Sequence, residues 1–280
     1  MDIDESGIWV LRMSDGYSLH SRVWGPASGE HLVVFLHGGV SHSGWQAVLA
    51  DHVVQHENTT FLAIDRRGSG MNREDRGDLS SAERCIADFE QVLEQCRPHY
   101  RNIVLVGWCF GALPATVLAA KRPELLDGLL LETPGFVPRE EMQAKFALAV
   151  FRVSHLFSPE NFTKPIIRAE VRPEDFTSVP RWIEFIDADP DKLVYTSPRS
   201  ATIDFPWQDA LGKVDRPLKV VLASHDRMVH TEEVRKLVSA LQPAAEIEEL
   251  PTAHAIQFEM AGELAASIQG FLEKVAAGRM

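Results

Sequence analysis

Short, continuously apolar runs recur along the chain, most followed by a glycine-rich turn and then by helical spacing. His31–Leu36 is apolar and β-branched and ends in His37-Gly38-Gly39. Thr60–Ile64 ends in Asp65-Arg66-Arg67-Gly68-Ser69-Gly70, and Ile103–Trp108 opens directly onto Cys109-Phe110-Gly111. Leu126–Leu131 is a further run of this kind. Between them Ser81–Cys96 reads as a helix. So does Phe110–Lys121, which is rich in alanine and leucine and stops near Pro123. Strands that are apolar throughout and alternate with helices predict a mostly parallel sheet covered on both faces. Gly7–Met13 and Ser18–Trp24 precede this pattern as two strands joined through Asp15-Gly16, a favoured turn pair.

The alternation stops between about Pro138 and Val214. Helical pieces at Phe146–Phe157 and Pro180–Ile186 are separated there by prolines and charges. The stretch is too long for an ordinary loop, and it begins just past a strand's C-terminal end, where α/β folds place ligands. The expected organisation is a core of residues 1–137 and 215–280 with residues 138–214 inserted as a mainly helical cap. Alternation resumes with Leu218–Ala223, which leads to Ser224-His225-Asp226. Thr231–Leu241 follows as a helix with Thr231 as its expected N-cap. Glu246–Leu250 leads to Pro251-Thr252-Ala253-His254, and Phe258–Val275 reads as one final helix.

Gly107-Trp108-Cys109-Phe110-Gly111 has the spacing of a nucleophile elbow, with a thiol at its centre. A strand-to-helix turn this tight leaves no room for side chains two positions away on either side, so glycines flank the nucleophile. It also aims the first amides of the next helix at whatever the nucleophile attacks. A thiol nucleophile needs a base, and the base needs an orienting carboxylate. In this sheet type they follow in the order nucleophile, acid, histidine, each after a strand. Cys109, Asp226 and His254 stand in that order. The same geometry places oxyanion donors at the amides of Gly39 and Phe110. His42, Trp45, Trp108, Phe146 and Phe157 are the candidate pocket residues. Within the cap, Phe146, Val150, Val153 and Phe157 share a helical face, with Phe151 off it. Asp65 and Arg66 are expected to brace neighbouring loops.

These motifs together resemble the α/β-hydrolases, and within them the monoacylglycerol-lipase-like and lysophospholipase-like group, also grouped with the serine aminopeptidases. The resemblance covers nearly the whole chain. His37-Gly38-Gly39 matches the oxyanion strand end of that group, and Asp65 to Gly70 matches its Asp-x-Arg-Gly-x-Gly loop. Cys109, Asp226 and His254 match its nucleophile, acid and base, and Phe185-Ile186-Asp187-Ala188-Asp189-Pro190 loosely matches the Asn-Asp-Pro segment of its cap. The resemblance implies an α/β-hydrolase core with a cap and covalent acyl chemistry. Cysteine in place of serine is the main departure.

Composition narrows the partners. The 280 residues are 45% hydrophobic and 24% charged, with a formal net charge of −12. The positive charge that neutralises phosphates is missing, so neither nucleic acid nor an anionic membrane is an expected partner. The first residues, Met1 to Glu5, are acidic and do not read as a signal peptide. Three cysteines do not make a disulfide framework; Cys85 and Cys96 read as buried thiols on one helix face, which fits a reducing cytoplasm. No Cys/His cluster has zinc-site spacing, and no cofactor or metal is expected. The expected partner is a small acyl substrate, free or carrier-bound, acting on a monomer or homodimer. Three readings stay open: hydrolysis or transfer of an activated ester or thioester, an acyltransferase, cyclase or carrier thioesterase, and a non-catalytic hydrolase-like binder.

Overall fold

The computed structural model describes residues 3–278. Strands β1 (Ile8–Arg12), β2 (Ser18–Trp24) and β3 (Gly29–Leu36) lead to helix α1 (Ala47–Val53). There follow β4 (Thr59–Ile64), α2 (Ala82–Cys96), β5 (Tyr100–Trp108), α3 (Ala112–Lys121) and β6 (Gly128–Glu132). The inserted region holds α4 (Glu140–Val153), β7 (Ile167–Arg168), α5 (Pro173–Phe176), α6 (Pro180–Ala188), β8 (Tyr195–Thr196), α7 (Pro198–Ala201) and α8 (Trp207–Leu211). The chain closes with β9 (Leu218–Ala223), α9 (Thr231–Leu241), β10 (Glu246–Leu250), α10 (Ile256–Glu259) and α11 (Ala261–Ala277).

Eight strands form one sheet in the order β1-β2-β4-β3-β5-β6-β9-β10. From β4 to β10 every pairing is parallel, and β2 pairs antiparallel with both of its neighbours. This is the α/β-hydrolase sheet that the resemblance implies. Because side chains alternate across a strand, β3 and β5 supply both faces. Leu32, Val34 and Leu105 face α2, α3 and α9, while Val33, Phe35, Val104 and Val106 face α1 and α11. Each fully buried aliphatic or aromatic side chain contributes roughly 1.5–3 kcal/mol of transfer free energy. The double layer therefore gives the strand ends a rigid frame.

Two local expectations change. Thr231 is the first helical residue of α9 and not its cap: its hydroxyl donates to the Ala223 carbonyl at 2.7 Å, and His230 precedes the helix. The final helix is broken at Met260, where φ is −135° and ψ is 48°. The Glu259 carboxylate at this break accepts from Thr177 and Ser178 of the inserted region and from Thr252 and Ala253 of the preceding loop. The inserted region also contains a two-stranded pair, β7 with β8, that its pattern did not announce.

Asp189 latches the end of α6 to the core. Its Oδ2 accepts from Trp45 Nε1 at 2.6 Å and pairs with His42 Nε2 at 2.9 Å. His42 Nδ1 accepts from the Gly44 amide, so the ring proton sits on Nε2 and points at Asp189. Burial alone would raise the Asp189 pKa, but the hydrogen bonds from His42 and Trp45 outweigh it and hold the carboxyl at about 2. No helix among the described residues is long and apolar enough to cross a membrane.

Candidate active site

Cys109 follows the last residue of β5 with φ at +51°, a left-handed conformation that costs a side-chain-bearing residue energy. The two elbow glycines make that turn feasible. A Cβ on Gly107 would lie 2.7 Å from Ala112 Cα, and one on Gly111 would lie 2.1 Å from the Leu36 carbonyl oxygen. Thr133, at the end of the adjacent strand β6, is the second strained position here, with φ at +35°. Its amide donates to Val221 O at 2.8 Å and its hydroxyl to His254 O at 3.1 Å. The left-handed turn thus ties β6 to β9 and to the histidine loop.

His254 is fully buried beside Trp108 and Phe176, with ring centroids 5.7 and 6.0 Å away. Its Nδ1 donates to Asp226 Oδ2 at 2.7 Å. The other Asp226 oxygen accepts the amides of Met228 and Val229 at 2.7 and 2.9 Å, which fixes the carboxylate in the turn after β9. With Nδ1 committed, Nε2 is the free nitrogen, and it has no other partner. Cys109 is the group that acts on it. Burial would lower the His254 pKa, but the charges of Asp226 and Cys109 and the hydrogen bond to Asp226 lift it well above the ordinary histidine value. By contrast, burial pushes the Cys85 and Cys96 thiols up to about 12, so they behave as core side chains.

The loop after β3 presents Gly39 opposite the elbow. A Cβ on Gly38 would sit 3.5 Å from Cys109 Cβ, and one on Gly39 would sit 3.8 Å from Phe110 Cβ. Among the described residues neither the Gly39 nor the Phe110 amide is spent on a turn or cap hydrogen bond. His37 sets the peptide plane that ends in the Gly39 N–H. Its Nε2 accepts the Arg66 amide at 3.1 Å, so Nδ1 carries the proton and donates to Gly38 O at 2.8 Å. Burial holds the His37 pKa well below its ordinary value and keeps the ring neutral. Asp65 braces the same loops by accepting the amides of Ser43 and Met71 at 2.6 and 2.9 Å.

Residues 27–260 match the family model described as "Serine aminopeptidase, S33". The chain belongs to this family. Human monoglyceride lipase is 27% identical over 156 residues, which are 55% of this chain and 51% of that protein. The chain thus spans about half the length of that relative. A soluble variant of monoglyceride lipase from Saccharomyces cerevisiae, solved with a substrate analogue, superposes with a TM-score of 0.80 at 15% identity. The match covers 98% of this chain and 96% of that one. A thioesterase domain from the curacin biosynthetic pathway gives a TM-score of 0.67 at 14% identity, over 94% and 98% of the two chains. Both superpositions show the fold.

In this member of the family a cavity of about 530 Å³ lies between the core and the inserted region, with Gly39 and Phe110 among the residues that line it. Leu113, Phe146, Ile167 and Ile203 are among its walls. Of the five pocket candidates, Phe146 lines this cavity. His42 and Trp45 are buried and hold Asp189, Trp108 is fully buried with its Nε1 3.4 Å from His254 O, and Phe157 is 37% exposed outside the cavity lining. Helix α4 buries Ala149 and turns Met142 and Lys145 to the cavity, while Phe151 points to solvent.

From the sequence Arg66 is expected only to brace neighbouring loops, and Glu132 is not singled out. Arg66, whose Nη2 donates to Gly39 O at 2.7 Å, lines the cavity as well as the loop. Glu132 ends β6 beside Trp108 and is fully buried. Burial pushes its carboxyl up to about 8, against the lowering pull of the His254 charge and of the Gln257 and Ile256 amides. A charged residue closing the run Leu129-Leu130-Leu131 was the available signal.

Proposed function

We infer that the protein transfers acyl groups through a covalent thioester on Cys109, with an activated ester or thioester as donor. The observation that carries this reading is the strained cysteine at the elbow facing a buried His254–Asp226 pair. The Cys109 proton moves to His254 Nε2, and the sulfur attacks the carbonyl carbon. The Gly39 and Phe110 amides hold the resulting oxyanion. As the tetrahedral centre collapses, the bond to the leaving group breaks and His254 returns the proton to it. A second nucleophile then gives its proton to His254 and attacks the thioester, and Cys109 regains its proton as it leaves. Asp226 stays ionised and orients the ring throughout.

A cysteine nucleophile favours thioester donors, because exchange of one thioester for another is nearly isoenergetic. The thioesterase likeness supports this donor class, and the monoglyceride lipase relatives support a neutral ester. Rates on an acyl N-acetylcysteamine thioester and on a monoglyceride of equal chain length, with Cys109→Ala as control, separate them. The thioester is expected to react faster. Faster glyceride cleavage overturns the donor class, and an unchanged rate in the alanine variant overturns the nucleophile.

A further inference from the structure

Arg66 is a buried cation with no direct ion pair, although the Asp65 charge acts on it from farther off. Its side chain is 8% exposed, and no carboxylate pairs with its guanidinium among the described residues. Asp65, its neighbour in sequence, spends its oxygens on the amides of Ser43 and Met71. What Arg66 has instead is the Gly39 carbonyl and the face of the Phe110 ring, 4.8 Å from its central carbon. Burial pulls its pKa down, as for a guanidinium whose lost hydration is not fully replaced.

The other charges along the cavity wall are mostly matched. Arg67 is held by Asp88 and Asp15, Lys145 by Asp175, Glu170 by Arg152, and Asp78 by Arg199. Arg168 is exposed at the β7 strand. The buried charge left over in a mainly apolar cavity is thus positive, in a protein whose net charge is −12. It also lies close to the chemistry. The group that Arg66 grips is the carbonyl of Gly39, and the ring it covers belongs to Phe110. These are the two residues whose amides would hold the oxyanion.

We propose that the cavity accepts an acyl group bearing its own carboxylate, as in a hemiester or monothioester of a short dicarboxylic acid, with Arg66 as the counter-ion. The acyl chain lies along the apolar wall, and the carboxylate, a few atoms from the reacting carbonyl, takes the free edge of the guanidinium. The planar fork of arginine suits a carboxylate's two oxygens, and the low dielectric strengthens the contact. A single buried cation fits a monoanion better than a phosphate dianion. This inference rests on the acyl-transfer reading for the orientation of the substrate, though not for the site itself.

The test compares kcat/KM for the para-nitrophenyl hemiester of glutaric acid with that for para-nitrophenyl pentanoate, which has the same chain length. The wild-type protein is expected to favour the hemiester by roughly tenfold or more. Arg66→Gln should bring that ratio down to about one or below, and Arg66→Lys should retain part of it. A wild-type preference for pentanoate overturns the proposal. So does an equal loss on both esters in Arg66→Gln, which would make Arg66 a support for the Gly39 loop alone. Binding of monomethyl glutarate and of methyl pentanoate to Cys109→Ala, by calorimetry, needs no turnover. Tighter binding of the glutarate, lost when Arg66→Gln is added, upholds the site even if no ester is turned over. Acyl transfer from both esters with no preference for the anion in either assay removes the site and leaves the acyl-transfer reading standing.

Discussion

At Cys109 the backbone adopts a conformation that only a fixed frame can maintain, and Gly111 is the tightest part of that frame. A methyl group there would meet the Leu36 carbonyl at 2.1 Å, so Gly111→Ala is expected to disrupt β3 and β5 and abolish soluble expression, whereas Cys109→Ser retains the fold. Asp226→Asn keeps the shape of the dyad but removes the charge that lifts His254, and turnover should fall on the order of 10⁴-fold. Glu132 gives a prediction of opposite character. Its carboxyl is neutral in the fold up to about pH 8 but ionises near 4.5 when unfolded. Between those values the folded state binds the extra proton, so stability falls as pH rises, and Glu132→Gln removes that part of the slope. Melting temperatures from pH 5 to 9 check the sign: the variant's advantage must grow with pH. The burial of Arg66 at the cavity and of Glu132 beside Trp108 was not legible in the sequence, for the same reason. A lone charge beside an apolar strand gains meaning only from the groups that folding brings around it. The triad was readable because each member directly follows a strand, and the linear order of the three survives folding.

Among the elements, the core strands were the most legible, since runs such as Leu32–Leu36 and Ile103–Val106 are buried on both faces and need no partner to declare themselves. The inserted region was legible as helical but not in detail. Strands β7 and β8 have two residues each, too short for any period to show. The α4 helix carries phenylalanines on more than one face, so its apolar stripe did not identify the buried side. The break at Met260 has no proline or glycine to mark it; it depends on Glu259 being held by four groups from two other segments. Helix α6 is joined to the core by Trp182 and Phe185 against Phe258, by the buried Ile186, and at its end by the Asp189 carboxylate. Asp189→Ala should cost about 1–3 kcal/mol and speed hydrogen exchange over residues 180–196 while the sheet stays protected. Because folding depresses the Asp189 pKa from 3.8 to about 2, its contribution is present above pH 4 and is lost as pH falls toward 2.

The whole molecule divides the work between a rigid sheet and the inserted layer that roofs it. The sheet brings the ends of β3, β5, β6 and β9 and the loop after β10 to one edge, and every member of the proposed machinery stands there. The roof closes a cavity over Gly39 and Phe110. The central claim is that a carbon–sulfur bond forms at Cys109 during turnover. Intact-mass analysis after brief mixing with an activated acyl ester tests it most directly. The account predicts a mass increase of one acyl group, mapped by peptide analysis to Cys109, absent in Cys109→Ala and accumulating in Asp226→Asn only slowly. An adduct on another residue, or turnover at the wild-type rate in Cys109→Ala, would contradict it.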